Sequence, residues 1–299
     1  MNIDSFLERT GVSQLSQVSG ATLAVIGGSS TLSIPFPQGL DAVDVEVLEE
    51  GIVFATPWGD SPAFTRFSLE GRQVLTCRMH GWRQGVTRAD ASRQVFWVFQ
   101  QAGVRKIVAE GGVGSVSPLL DLKDLVVPTD YIDYSVRKDV GLGGPFLGIM
   151  RQPTCPHLRQ ALVDAAREVA WQKRDRRVFS RGTYAVTDGR HFESVAEVQM
   201  MRQAGADIVG QSMAPEVYLA REIGACYARV DMVVNYGEGV VRDWRHEVLS
   251  DIFYGESRVI GKIVLDALRH ADADDSSCGC ADLRKPTLLK EAYGTPQED

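Results

Sequence analysis

The side chains with most chemistry to offer are concentrated between Asp188 and Asn235. The run Asp188-Gly189-Arg190-His191-Phe192-Glu193 presents an aromatic ring beside a carboxylate, and Val233-Val234-Asn235-Tyr236 ends an apolar run on an amide. A carboxylate accepts hydrogen bonds from ring N–H groups, whereas an amide both donates and accepts. An exposed Phe192 could stack on a planar ring. Gln211 and Ser212, in Gly205-Ala206-Asp207-Ile208-Val209-Gly210-Gln211-Ser212-Met213, add further hydrogen-bonding groups. Each residue also has a plainer reading. Phe192 is then a core phenylalanine, Glu193 a negative charge favoured at a helix N-terminus, and Asn235 a turn asparagine bonded to its own backbone.

A second group of residues could hold an anion. Gly27-Gly28-Ser29-Ser30 follows the apolar run Thr22-Leu23-Ala24-Val25-Ile26. Glycines permit the backbone angles of an anion nest, and the Ser29 hydroxyl is a donor. The turn is neither a P-loop nor a dinucleotide fingerprint, and a plain tight turn is the other reading. Arg78, His80 and Arg83 bring cationic or hydrogen-bonding groups after another apolar run. A guanidinium can reach an anion from a neighbouring position; otherwise these arginines are simply solvated. In Glu110-Gly111-Gly112-Val113-Gly114-Ser115 the Gly112 amide is a candidate anion donor, but Glu110 would repel an anion if it pointed inward.

The elements that must position these groups are legible in outline. Short apolar runs at Thr22–Ile26, Val53–Ala55, Phe64–Phe67, Gln73–Cys77, Lys106–Ala109, Leu125–Val127, Thr183–Val186, Ile208–Val209 and Ala228–Val234 predict strands. Helical spacing predicts helices over Arg88–Ala102, His157–Trp171, Pro215–Glu222 and Ser257–His270. Ser194-Val195-Ala196-Glu197 has the form of a capping box and starts another helix, running to about Gln203. Glu110–Ser115 and Gly141–Gly148 are expected as glycine loops. Alternating strands and helices predict an α/β fold, one domain over residues 1–270 with a mixed sheet flanked by helices. Binding loops then lie at the carboxyl ends of strands. Residues 271–299 lack periodicity and are expected to form a loosely held tail.

Bulk properties narrow the function. The chain has 299 residues and a formal charge of -7, which argues against a broad electrostatic hold on nucleic acid. No run is long and apolar enough to span a membrane, and Met1-Asn2-Ile3-Asp4 lacks the start of a secretory signal. The odd cysteine count, 5, fits a reducing cytoplasm better than a disulfide framework. Cys278-Gly279-Cys280 is the one close pair and lies in the polar tail, where it reads as incidental or loosely redox-active. The 5 histidines are scattered and provide no spaced ligand set, so no metal site is expected.

In order and spacing, the Asp188–Tyr236 stretch resembles the purine nucleoside phosphorylase family, including the methylthioadenosine phosphorylases. The likeness extends over roughly Ala21 to His270. It implies a single-domain nucleoside phosphorylase-like α/β fold, commonly assembled as a trimer, with inorganic phosphate as co-substrate and no cofactor. It also implies that Phe192 and Gln211 bind the nucleoside, and that Asn235 and Glu193 bind the base and stabilise it as it departs. Ser29, His80, Gly112 and Ser212 would then hold phosphate. Arg78 matches the family arginine only after a shift of one position, since Met79 stands in its place. The family's Asn-Ala or Thr-Ala is replaced by Gly111-Gly112, and its methionine under the ribose by Gln211. In the family, asparagine at the position of Asn235 accompanies 6-oxopurines, and an aspartate of the methylthioadenosine enzymes is replaced here by Gly237. His246 and Tyr254 fall where the family builds the pocket for the 5′ substituent. Some relatives from heat-loving organisms carry a Cys-x-Cys near the C-terminus. The expected activity is phosphorolysis of a purine nucleoside or 5′-methylthio-nucleoside. The altered phosphate loops leave open a phosphate-independent nucleosidase and a nucleoside-binding protein without catalysis.

Overall fold

The computed structural model describes residues 20–78, 83–137, 139–241, 244–245 and 247–288. The chain begins with β1 (Leu23–Gly27), β2 (Val45–Ile52), the small hairpin β3 (Ala55–Thr56) and β4 (Gly59–Asp60), β5 (Phe64–Leu69), β6 (Arg72–Arg78) and helix α1 (Arg88–Ala102). Next come β7 (Lys106–Ser115), β8 (Leu125–Val126), β9 (Asp130–Asp133), β10 (Phe146–Gly148), α2 (Pro156–Lys173), β11 (Val178–Phe179) and β12 (Thr183–Val186). Last are α3 (Val195–Gln203), β13 (Ile208–Gly210), α4 (Met213–Glu222), β14 (Cys226–Tyr236), α5 (Glu247–Gly255), α6 (Ser257–Arg269) and β15 (Arg284–Pro286).

An 11-stranded mixed sheet runs β11-β8-β14-β7-β1-β6-β5-β2, with β12, β9 and β13 joined to it through β13 and β7. Its centre, β6-β1-β7-β14, is parallel, so both faces must be covered. β1 shows how: Ala24 and Ile26 pack with Val95, Phe96 and Phe99 of α1 and Met213 of α4. Leu23 and Val25 join Leu158 of α2 and Ile260 and Val264 of α6 in a second core. Side chains alternate across a strand, so one buried run feeds two apolar layers.

Local signals set the helix ends. Thr87 caps α1 by accepting from the Asp90 amide, and Gly103 closes it at φ 80°. The predicted Ser194–Glu197 capping box is present at α3. Two expectations fail. Glu110–Ser115 continues β7 rather than forming a loop, because its glycines make room for side chains of neighbouring strands. A Cβ on Gly111 would lie 2.8 Å from Arg229 Nη2, and one on Gly112 would lie 3.0 Å from Ser29 Oγ. The tail, over residues 271–288, is packed rather than loose: Ala271, Cys278, Cys280 and Leu283 are buried, and β15 pairs with β10 inside the expected Gly141–Gly148 loop. Strand β2 and helix α5 carried no sequence expectation.

Candidate active site

One cavity of about 330 Å³ opens where β1, β12, β13 and β14 end, beside the second half of β7. That volume suits a small organic ligand. Asn235 reaches it through an irregularity of β14: the pairing with β7 passes from Val233↔Val113 to Asn235↔Gly114, leaving Val234 as a bulge. A bulge re-aims side chains at the edge of a site, and here both Val234 and Asn235 line the cavity. Asn235 is 5% exposed, and its Nδ2 donates to the Tyr236 carbonyl at 3.1 Å. Glu193, 7% exposed, also lines the cavity and accepts from Thr187 Oγ1 at 2.7 Å. Phe192 is half-exposed at the cavity rather than buried in the core. Gln211 lines it as well, packed so close to Gly189 that any side chain there would overlap the Gln211 amide. The sequence-predicted base and ribose groups therefore converge.

The anion side is only partly as expected. Ser29, Gly112 and Ser212 line the cavity, but Gly112 N already donates to Ser29 Oγ at 2.9 Å. Ser30 Oγ is buried at the same wall without a partner among the described residues. Glu110 points inward, into the turn itself. It accepts from Gly28 N at 2.5 Å, Ser30 N at 3.2 Å, Thr31 N at 3.2 Å and Thr31 Oγ1 at 2.6 Å. The chain's own carboxylate thus occupies the inside of the nest, and burial pushes its pKa up against the pull of those hydrogen bonds. Arg78 is not at the cavity: it is exposed and donates to the Ile34 carbonyl at 2.6 Å. Arg83 is held by the Asp60 carbonyl and Gln94. His80 lies outside the described residues.

Other cations flank the cavity in their stead. Arg88, the first residue of α1, and Arg137 both line it. Each donates to the Gln211 carbonyl, at 3.3 Å and 3.2 Å, and Arg137 Nε also pairs with Asp188 at 2.9 Å. Burial, then the neighbouring Arg137, brings Arg88 down to about 10, so it stays charged at neutral pH. Behind Ser212 lies a fully buried group: Arg229 holds Asp231 through Nε and Nη2 and donates from Nη1 to Ser212 Oγ at 3.1 Å. Tyr227, in turn, donates to Glu216 at 2.8 Å, which gives Glu216 an anchoring role. Sequence reading passed over these arginines, though each leaves a trace. A cation at a helix N-terminus opposes the helix dipole, and Arg229 and Asp231 interrupt an otherwise apolar central strand.

The far end of the cavity is formed by α5, through Leu249, Ile252 and Phe253. Tyr254, expected there, is 71% exposed, and His246 lies outside the described residues. At Gly237, a Cβ would sit 2.8 Å from the Ser115 carbonyl, so any side chain at that position requires the backbone to shift.

Residues 23–269 match the family model described as the phosphorylase superfamily. The chain belongs to this family. It is 30% identical to the 6-oxopurine nucleoside phosphorylase of Pyrococcus furiosus, over 88% of this chain and 97% of that one. It is 27% identical to an S-methyl-5'-thioadenosine phosphorylase of Pyrococcus abyssi, over 89% and 99% respectively. Among solved structures, a methylthioadenosine phosphorylase from an antarctic soil metagenomic library superposes with a TM-score of 0.72 at 24% identity, covering 92% of this chain and 95% of that one, and so shares the fold. The α/β class and the family resemblance read from the sequence both hold.

Proposed function

We propose that this chain cleaves the N-glycosidic bond of 6-oxopurine nucleosides by phosphorolysis. The observation that carries this is the meeting of Glu193 and Asn235 with Ser29, Gly112 and Ser212 around one cavity. The Glu193 carboxylate accepts from ring N–H groups, and Asn235 offers both donor and acceptor to the O6 and N7 edge of the purine. As the bond at C1′ breaks, the ribosyl group takes on oxocarbenium character and negative charge moves onto the base. Asn235 and Glu193 stabilise that base, while phosphate attacks the opposite face of the sugar. Fixed hydrogen-bond groups and proximity supply the rate, with no covalent enzyme intermediate. The roles of Phe192, stacking on the base, and Gln211, bonding a ribose hydroxyl, belong to this reading. The co-substrate is inorganic phosphate, and the reaction asks for no cofactor.

At the 5′ end, Leu249, Ile252 and Phe253 support an apolar substituent such as methylthio. The names of the Pyrococcus relatives, one a 6-oxopurine and one a methylthioadenosine enzyme, agree with each half of this assignment. A panel of inosine, 5′-methylthioinosine and 5′-methylthioadenosine tests it: kcat/KM is expected highest for 5′-methylthioinosine and lowest for the 6-amino substrate. A preference for 5′-methylthioadenosine would contradict the base assignment. A homotrimer in the cytoplasm completes the proposal; the family resemblance supports the trimer, and the odd cysteine count supports a reducing compartment. The alternative of phosphate-independent hydrolysis draws its support from Glu110, whose carboxylate fills the glycine turn.

A further inference from the structure

Four of the five cysteines, from three separate stretches of the sequence, gather in space. Cys155, Cys226, Cys278 and Cys280 are all buried, and their Sγ atoms lie within 4.8 Å of one another. Cys226 Sγ and Cys278 Sγ are 3.5 Å apart. Four thiolates around a zinc ion at a Zn–S distance of 2.3 Å have S···S edges of ~3.8 Å, so the cluster needs only small adjustments to close around a metal. Several elements hold it: Cys155 caps the N-terminus of α2, Cys226 opens β14, and the tail brings Cys278 and Cys280. Gly279 adopts φ +71°, a conformation that L side chains rarely take, between the paired thiols.

The surroundings suit thiolates. A tetrathiolate zinc centre carries a net charge of about −2, which must be offset when buried. Lys106, 4% exposed, directs Nζ at Cys226 Sγ from 3.6 Å and is fixed by the Asp275 carbonyl at 2.6 Å. The N-terminus of α2 adds its positive dipole end beside Cys155. We propose that Cys155, Cys226, Cys278 and Cys280 form a structural zinc site that fastens the tail to the body of the fold. The four thiols release their protons to solvent as the ion binds. This departs from the sequence expectation of no metal, which weighed only histidines and left the Cys278–Cys280 pair incidental or loosely redox-active.

The test uses the full chain purified under reducing conditions and incubated with zinc, then dialysed. Elemental analysis is expected to find about one zinc per chain, and cobalt exchanged into the site should show thiolate-to-cobalt charge-transfer absorption. The Cys278→Ser, Cys280→Ser double variant should lose both signals. If that variant fails to fold, the wild-type stoichiometry and cobalt spectrum still decide the matter. Metal-free reduced protein, zinc retained by the double variant, or a native mass lower by four hydrogens, as in two disulfides, would each overturn the proposal.

Discussion

Asn235 and Glu193 carry the assignment of the base, and their chemistry is separable by substitution. Asn235→Asp replaces a donor and acceptor with an acceptor alone. It is expected to lower kcat/KM for inosine by about 10²-fold, the usual effect of losing one hydrogen-bond group at developing charge, and to raise the relative rate with adenosine. Steady-state kinetics on both nucleosides read the ratio. Glu110 makes a different prediction. Burial raises its pKa, so it holds a proton at low pH and ionises beside the phosphate position as pH rises. The KM for phosphate, corrected for phosphate's own ionisation, should therefore climb with pH in the native chain and stay flatter in Glu110→Gln. The same raised pKa acts on stability. The folded state binds this proton more tightly than the unfolded chain, so the contribution is full below the ordinary carboxylate pKa. It declines as pH rises toward the folded-state value, and the glutamine variant should lack that slope in urea melts across pH.

At the scale of elements, the site depends on strands that yield space to one another. Gly111 leaves room for the Arg229–Asp231 pair, Gly112 for Ser29, and the Val234 bulge turns Asn235 into the cavity. Gly237→Asp should not confer activity on 6-aminopurines. Its Cβ would meet the Ser115 backbone at 2.8 Å, and the overlap is expected to cost about 1–3 kcal/mol, measurable as a lowered urea midpoint. The parts of the site that could be read from sequence are those carried by short contiguous patterns. Phe192-Glu193 precedes a capping box, Asn235 ends an apolar run, and Ser29 follows a strand-to-glycine turn. The parts that could not be read depend on contacts between distant segments. Arg88 and Arg137 meet over Gln211, and Glu110 turns toward a loop some eighty residues earlier. Arg78 looked useful by type, yet its guanidinium is directed to Ile34 instead.

Across the whole molecule, one sheet and its two apolar layers gather the cavity residues from strand ends, the second half of β7, the helices above and the loops between them. The alternation of strands and helices made that architecture predictable, whereas the docking of residues 271–288 had no periodic signature. The tail is held by individual bonds, including Ile149 N to Leu283 O at 2.8 Å and Thr287 N to Pro145 O at 2.7 Å. Hydrogen exchange should accordingly show protection at the amides of Ile149 and Thr287, and exchange at the rate of an unstructured peptide there would refute the docking. Phosphorolysis is expected here at a site whose glycine turn already holds a carboxylate. The decisive measurement is base release from inosine and 5′-methylthioinosine with and without phosphate, with the sugar product identified. Release that requires phosphate and yields the pentose 1-phosphate is the predicted result. Release at an equal rate without phosphate, yielding the free sugar, would contradict the account and make Glu110 part of a hydrolase.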